Sequence, residues 1–238
     1  MSAKPNDPAA DLVIYGSPVS PFVRKVAAVC AEKDVGFAIE GVDIFNPPEW
    51  FLEISPMKRI PVLRDRSIAE DGQDGTIADS SAICAYIEKK HPRPPVYPDD
   101  AFDYARALFF EEYADTNLAA TGGLGIFRPL FFSITQGKEP DVARARETWS
   151  DKMPPVLDYL ETALAGREFF AGSQLSIADI TIAACMMQMS LVADFDLSPW
   201  PSLESHLERM AARPSIAGPY EKAERFIRKA MPERVSLD

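Results

Sequence analysis

The N-terminal part of the chain alternates between short apolar runs and helical spacing of its apolar residues. Residues 12–15 (LVIY) form an apolar run that ends in Gly-Ser-Pro at 16–18, which is typical of a buried strand followed by a turn. Apolar residues then recur at helical spacing over 21–33, and residues 37–42 alternate weakly between apolar and polar. The pattern predicts a strand, a helix and a second strand, in that order.

The next part of the chain predicts a short helix, a β-hairpin and a longer helix that ends at a proline cluster. These features lie at 50–54 for the short helix, at 60–63 and 76–78 for the hairpin strands, at 82–87 for the apolar face of the longer helix, and at 91–95 (HPRPP) for the prolines. Polar residues 65–74 form the hairpin loop. Because two parallel strands need a crossover helix between them, this order predicts one mixed sheet flanked by helices.

Beyond residue 97 the chain changes character, because helical periodicity replaces the alternation of strands and helices. The helical segments are 101–118, 140–165, 176–193, 201–212 and 215–230. No segment of this half shows the apolar–polar alternation of a strand. The sequence predicts an α/β domain over residues 11–92, a linker over 93–100 and an all-helical domain over 101–232.

The composition is that of an ordinary globular protein and excludes disordered, collagen-like and low-complexity classes. Of the 238 residues, 47% are hydrophobic and 26% are charged, and this length allows one large domain or two modest ones. The net charge of −11 repels nucleic-acid phosphates and anionic lipids. No run approaches the roughly 18 apolar residues of a membrane span, so we expect no nucleic-acid or membrane partner.

Cysteine and histidine are sparse, which restricts the chemistry open to the chain. Cys30, Cys84 and Cys185 lie far apart without a CxxC pair, so they predict buried thiols in a reducing cytoplasm rather than disulfides or zinc ligands. His91 and His206 are the only histidines, and neither HExxH nor HxH occurs. We therefore expect no metal site.

Three turns between the predicted elements carry groups suited to binding a ligand. Ser20 precedes Pro21 at the start of the first helix, where a serine caps the helix with or without a ligand. The proline of Ile60-Pro61 fits an edge strand or a cis peptide bond, and either leaves neighbouring backbone free to pair with an extended peptide. Residues 79–81 (DSS) open the helix after the hairpin, where they bind a carboxylate at the positive helix end or simply cap it.

Four segments together resemble the cytosolic glutathione transferase superfamily. They are SPVSPFVRKV at 17–26, SPMKRIPVL at 55–63, ADSSAICAYI at 78–87 and FFAGSQLSIADI at 169–180. The last contains Ser176 and Asp179 at the spacing of an N-capping box, in which side chain and backbone cap each other at a helix start. The resemblance covers nearly the whole chain and implies a thioredoxin-like domain followed by the family's all-helical domain.

In this resemblance Ser20 stands where the family activates the sulfur of glutathione. A serine hydroxyl is a far weaker acid than a thiol, so its role is to donate a hydrogen bond to the thiolate beside the positive end of the first helix. Ser17, in the same turn, is the alternative donor, and we prefer Ser20 because Pro21 fixes it next to the helix end. Val23 stands where dithiol relatives have the second cysteine of CPxC, so we expect no disulfide exchange.

The resemblance also implies which residues bind the rest of glutathione. Ile60, before a cis Pro61, is matched to the backbone partner of the cysteinyl unit. The other matched positions are Phe22 in the first helix, and Asp79 and Ser80 at the γ-glutamyl end. The family usually has Asn-Pro-x-Gly-Lys before the proline, whereas this chain has SPMKR, so Lys58 and Arg59 are alternative partners of the glycine carboxylate.

The function implied by the resemblance is that of a homodimeric, detoxifying glutathione transferase without a metal. Bound glutathione, as a thiolate, would attack a small apolar electrophile held by Phe109, Tyr113 and Asn117 of the first helix of the helical domain. Further aromatic residues follow in a less regular stretch at Phe127, Phe131 and Phe132. The alternatives are a glutathione-dependent isomerase or etherase of the same fold, and a glutathione- or ligand-binding protein without turnover.

Overall fold

The computed structural model describes residues 7–237, which divide after Val96 into two compact units. The described residues of the first unit form four strands and three helices. Their bounds are Leu12–Tyr15 (β1), Pro21–Glu32 (α1), Phe37–Glu40 (β2), Glu49–Ile54 (α2), Val62–Asp65 (β3), Thr76–Ala78 (β4) and Ser80–Lys90 (α3). The division falls within residues 93–100, while the proposed domain and linker limits stay predictions.

The four strands of the first unit form one mixed sheet in the order β2-β1-β3-β4. β1 and β2 are parallel, and α1 is the crossover helix between them. β3 is antiparallel to both of its neighbours, β1 and β4. The predicted α/β class with a mixed sheet is therefore confirmed.

α1 begins at the residue that its sequence indicates. Pro21 occupies the first helical position, and Ser20 is the N-cap with φ −68° and ψ 128°. The buried apolar residues of the helix are Pro21, Val23, Val26, Ala27, Ala28, Val29 and Cys30. Asp34 follows the helix in the left-handed region, with φ 53°, and the chain turns there towards β2.

The third strand differs from its prediction by two residues. It spans Val62–Asp65 rather than 60–63, because Pro61 has no N–H to donate to a neighbouring strand. The Ile60–Pro61 peptide bond is cis. The alternative of an edge strand is wrong, since β3 lies between β1 and β4.

A buried arginine holds the loop between β3 and β4. Arg64 donates from Nη1 to the carbonyls of Ala69 and Asp74, both at 3.2 Å, and from Nη2 to the carbonyl of Gly72 at 2.7 Å. Three carbonyls of a polar loop therefore point inward to one cation. These hydrogen bonds give the loop internal support that its composition does not reveal.

The described part of the second unit is built almost entirely of helices. Their bounds are Ala101–Tyr113 (α4), Ala119–Gly122 (α5), Ser133–Thr135 (α6), Val142–Glu147 (α7), Met153–Leu164 (α8), Ile177–Met189 (α9), Pro201–Ala211 (α10) and Pro214–Ile227 (α11). π-Helical segments at Ala114–Leu118, Gly123–Phe132 and Thr148–Lys152 join α4 to α6 and α7 to α8 without a break. The predicted helical class of the second half is confirmed.

Two features of this unit differ from the prediction. The helix predicted over 101–118 continues to Thr135, so the aromatic stretch 127–132 is helical rather than irregular. Three glycines and a proline interrupt the helical periodicity of the sequence over this extension, which is why the pattern did not predict it. A short parallel strand pair, Ala193–Asp194 (β5) with Val235–Ser236 (β6), was not expected. Strands of two residues are too short to show alternation.

One helix is long and apolar enough to cross a membrane when judged by length and composition alone. It is the continuous helix Ala101–Thr135, with a mean hydropathy of 1.3 in its 18-residue apolar window, of which 44% is buried within the protein. The sequence has no uninterrupted run of about 18 apolar residues, and this helix meets the criterion because a window average tolerates the polar residues that interrupt such a run. Buried core helices meet the same criterion.

α9 is almost wholly buried and begins with the expected capping box. The carboxylate of Asp179 accepts hydrogen bonds from the N–H and the Oγ of Ser176, both at 2.8 Å, and from the N–H of Phe170 at 3.0 Å. These three residues are fully buried. The box therefore satisfies backbone donors that would otherwise have no partner at the start of the helix.

Candidate active site

Three turns of the first unit lie at the same end of the strands. Tyr15 at the end of β1 is paired with Val62 at the start of β3, which is paired with Ala78 at the end of β4. The turn after β1, the residues before β3 and those after β4 therefore lie side by side. This arrangement brings together the candidate residues Ser20, Ile60, Pro61, Asp79 and Ser80.

Gly16 allows the turn after β1 to approach the residues before β3. A Cβ added at Gly16 would lie 2.6 Å from Cγ2 of Val23 and 3.3 Å from Cβ of Ile60. Because glycine has no side chain, α1 and Ile60 pack directly against its backbone. The close contact fixes the distance between two of the three turns.

The residues between β1 and α1 form a tight turn. The N–H of Ser20 donates to the carbonyl of Ser17 at 3.0 Å, and the Oγ of Ser17 accepts from the N–H of Val19 at 3.3 Å. Ser17 therefore stabilises the turn from within, whereas Ser20 stands at its end, where α1 begins.

The hydroxyl of Ser20 is only weakly engaged as a helix cap. Its Oγ accepts from the N–H of Val23 at 3.5 Å, which is long for a bond that is usually about 2.9–3.0 Å. The first turn of α1 contains no acidic residue. The partly exposed hydroxyl and the unsatisfied N–H groups at the helix end together favour an anion at this place.

Two buried cations beside this turn escape identification from the sequence pattern. Arg24, which is 4% exposed, donates to the carbonyls of Pro18 and Val19. Lys25, which is 0% exposed, donates from Nζ to the Oγ of Ser81 at 3.0 Å and so links α1 to the start of α3. Their position near the start of α1 was itself a signal, because a cation is unfavourable near the N-terminus of a helix unless a specific partner holds it there.

The loop before Ile60 presents two exposed cations. The Oγ of Ser55 donates to the carbonyl of Arg59 at 2.9 Å and accepts from its N–H at 3.2 Å, which closes the loop. Lys58 lies in the left-handed region with φ 54°. Within residues 7–237 no carboxylate pairs with Lys58 or Arg59, so both are available to an anionic ligand.

Asp79 has a backbone conformation that residues other than glycine rarely adopt. Its φ is 135°, and its side chain accepts from the N–H groups of Ser81 at 2.9 Å and Ala82 at 3.1 Å as the N-cap of α3. Such strain persists only where the surroundings impose it and is frequent at binding sites. Ser80, the first residue of α3, is buried, and Phe22 is partly buried in the first turn of α1.

The three candidate pocket residues come together within the second unit. The ring centre of Tyr113 lies 6.2 Å from that of Phe109 and 4.9 Å from that of Tyr159, and the side chain of Asn117 is close enough to influence its hydroxyl. Burial, with Tyr159 nearby, raises the pKa of Tyr113, whereas the neighbouring amide of Asn117 opposes the shift. Tyr113 is therefore a neutral hydrogen-bond donor at physiological pH, and it donates to the carbonyl of Val156 at 3.3 Å.

The protein's own thiols are not placed for catalysis. Cys30, Cys84 and Cys185 are buried and form no disulfide bond. Burial raises the pKa of Cys30 to about 12, so this thiol does not ionise at neutral pH. Among the residues that the structure describes, no group of three His, Cys, Asp or Glu side chains could hold a metal ion.

Comparison with known proteins identifies the family. The model of the glutathione S-transferase N-terminal domain matches residues 14–95, and that of the C-terminal domain matches residues 126–224. Glutathione S-transferase D7 of Drosophila melanogaster is 30% identical over 207 residues, which cover 83% of this chain and 83% of the relative. Pyrimidodiazepine synthase of the same species is 27% identical over 222 residues, covering 90% of this chain and 82% of the relative.

A solved structure agrees with these relatives. An epsilon-class glutathione S-transferase from the housefly, Musca domestica, superposes with a TM-score of 0.74 at 25% identity, covering 92% of this chain and 98% of the other. The chain therefore belongs to the glutathione S-transferase family. It is a glutathione transferase, with glutathione as its co-substrate.

Proposed function

We propose that Ser20 holds bound glutathione as a thiolate, which attacks an electrophilic carbon of a small apolar substrate. The observation that supports this role is the hydroxyl of Ser20 at the start of α1, engaged by the N–H of Val23 only at 3.5 Å. A hydrogen bond from this hydroxyl and the positive helix end both favour an anionic sulfur. The protein binds and deprotonates glutathione, which supplies the nucleophile.

These two interactions are large enough for the task. A thiol pKa of about 8.5 has to fall by about two units for most of the thiol to ionise at neutral pH, which corresponds to about 2.7 kcal/mol. A hydrogen bond to a charged group contributes about 1.5–3 kcal/mol, and a helix end adds about 0.3–1 kcal/mol. No general base is required.

The neighbouring turns support binding of the rest of the tripeptide. In the described part of the chain, no hydrogen bond uses the backbone of Ile60, which is therefore available to the cysteinyl unit of glutathione. Asp79 and Ser80 offer a carboxylate and a helix N-terminus to the charged γ-glutamyl end. Lys58 and Arg59 remain alternative partners of the glycine carboxylate, because both are exposed in the same loop.

The second substrate, the assembly and the location belong to the same proposal. The grouping of Phe109 with Tyr113 and Asn117 supports their contact with an apolar electrophile. We infer a homodimer that works in the cytoplasm in detoxification. Isomerisation and ether cleavage are the alternative reactions of the same thiolate.

Ultraviolet absorbance of the thiolate tests the role of Ser20 directly. Wild-type protein with bound glutathione is titrated, and we expect an apparent thiol pKa about two units below that of the free tripeptide. Ser20→Ala removes the donor, so the pKa should return towards the free value. Turnover of an aryl halide at neutral pH should fall by about tenfold to hundredfold with it.

Ser17→Ala is the matched control, because it removes a hydroxyl from the same turn. The thiol pKa should then stay close to that of the wild type. A pKa raised by Ser17→Ala alone would make Ser17 the donor instead. A wild-type protein that binds glutathione without shifting its thiol pKa would contradict the proposed activation.

A further inference from the structure

Arg24 is a buried cation whose hydrogen bonds are directed at the turn that carries Ser20. Its Nη1 donates to the carbonyl of Val19 at 2.9 Å and to that of Pro18 at 3.1 Å. The backbone N–H of Arg24 donates to the carbonyl of Ser20 at 3.1 Å. Three consecutive carbonyls of the turn are therefore held by one residue.

The peptide group between Val19 and Ser20 is fixed on both sides. Its carbonyl accepts from Arg24, and its N–H donates to the carbonyl of Ser17 at 3.0 Å. Because a peptide group is planar, hydrogen bonds on opposite sides leave it little freedom to rotate. The orientation of this plane sets the direction in which the side chain of Ser20 leaves the backbone.

The turn has few donors of its own for these carbonyls. Pro18 and Pro21 have no N–H, and the N–H of Val19 is used by the Oγ of Ser17. A buried carbonyl without a donor is unfavourable, so the turn needs a donor from outside. Arg24, one helical turn beyond Ser20, supplies it.

We propose that Arg24 is a positioning residue, which holds the turn so that the hydroxyl of Ser20 stays directed at the sulfur of bound glutathione. This inference rests on the proposed role of Ser20, through which Arg24 acts. Arginine suits the task because its guanidinium is planar, remains protonated and donates in fixed directions. A lysine ammonium is a more mobile point charge on a shorter side chain.

Two variants of the full-length chain distinguish the effect of losing the hydrogen bonds of Arg24 from the effect of losing its side-chain volume. Arg24→Met removes the donors and keeps most of the apolar volume, whereas Arg24→Lys keeps the charge with a shorter reach. We expect Arg24→Met to raise the thiol pKa of bound glutathione by about one unit. It should lower kcat at neutral pH by about tenfold, with little change in KM for glutathione. Arg24→Lys should give intermediate values.

A double-mutant cycle with Ser20→Ala distinguishes positioning from a general structural role. If Arg24 acts through Ser20, Arg24→Met causes no further loss of kcat or thiolate in the Ser20→Ala background. Arg66→Met is the control, because Arg66 also donates to a backbone carbonyl, that of Pro8 at 3.3 Å, outside the Ser20 turn. It should leave the thiol pKa and kcat unchanged.

The outcomes separate this role from the proposed function. A thiol pKa unshifted in the wild type would overturn the proposed function and this role with it. A shifted wild-type pKa that Arg24→Met leaves unchanged, or losses that multiply in the double variant, would overturn only the role of Arg24. Should Arg24→Met not fold, Arg24→Lys decides, since an intermediate pKa supports the role and a wild-type value contradicts it.

Discussion

At the scale of single residues, Gly16 shows how closely the turns of the site are packed. We predict that Gly16→Ala destabilises the first unit by about 1–3 kcal/mol, because the added methyl group would meet Cγ2 of Val23 at 2.6 Å. Val23 is fully buried in α1 and has no free space to move into. Urea unfolding measures the stability, and KM for glutathione measures the effect on the site.

Gly41→Ala is the matched control for this change. A Cβ at Gly41 would find no atom within 4 Å, so its stability should equal that of the wild type or exceed it slightly. Equal stability of the two alanine variants would contradict the close packing at Gly16. If KM for glutathione rises in Gly16→Ala and not in Gly41→Ala, glutathione binds at the turn that contains Gly16.

Residues differ in how far their roles could be foreseen. The position of Ser20 as the N-cap of α1 was predictable, because Pro21 marks the start of the helix and the N-cap is the residue before it. The position of Arg24 and Lys25 near a helix N-terminus indicated a specific partner, but their acceptors could not be predicted because these exist only once the turn and α3 have formed. The strain at Asp79 was equally hidden, since φ is imposed by the surroundings rather than by the residue.

At the scale of secondary-structure elements, α9 and α10 are joined by a buried pair of titratable side chains. Nε2 of His206 lies 3.6 Å from Oδ1 of Asp179, and its Nδ1 lies 3.3 Å from the carbonyl of Glu168. Burial, with a smaller effect of Arg209, lowers the pKa of His206 to about 4. Burial raises the pKa of Asp179 to about 6, against the hydrogen bonds from Phe170 and Ser176.

The two shifts act on stability in opposite directions. Between about pH 4 and 6.5 the unfolded chain protonates His206 and the folded chain does not, so this residue reduces stability as pH falls. Over about pH 4 to 6 the folded chain protonates Asp179 before the unfolded chain does, so its contribution is lost as pH rises. The pH dependence of each is therefore partly hidden by the other.

We predict that His206→Gln uncovers the histidine contribution. The free energy of unfolding of the variant minus that of the wild type should rise as pH falls from about 7 to about 4, by up to the order of 3 kcal/mol. Fluorescence of Trp149 and Trp200 during urea unfolding follows the second unit, which contains both. A difference that stays constant with pH would contradict a buried, neutral His206.

Elements were predictable where a hydrophobic period runs without interruption. The strands of the first unit and α1 follow from such runs, and β3 shifted only because Pro61 cannot donate a strand hydrogen bond. The continuation of the helix from 101 to Thr135 was missed, since its glycines and proline are tolerated only inside a packed unit. Local pattern therefore predicts element type better than element length.

At the scale of the whole molecule, association has to overcome like charge. Each chain carries a net charge of −11, so two copies repel one another at low salt. The apolar side chains exposed on α4 are Phe102 at 75%, Tyr104 at 43%, Leu108 at 38% and Phe109 at 49%. If Phe102, the most exposed of these residues, lies in the contact between the two copies of the proposed homodimer, apolar burial has to outweigh the repulsion.

We predict a dimer that tightens as salt rises from about 0.02 M to about 0.3 M, because salt screens the repulsion and leaves apolar burial intact. Phe102→Ser should weaken it by about a thousandfold, since twofold symmetry removes two buried rings worth about 2 kcal/mol each.

Phe226→Ser, at a phenylalanine of α11 that is 51% exposed, is the control and should leave the dimer intact. Light scattering across a concentration series measures the dissociation constant. A dimer that weakens with salt would show that ion pairs hold it, and a monomer at every concentration would contradict the proposed assembly.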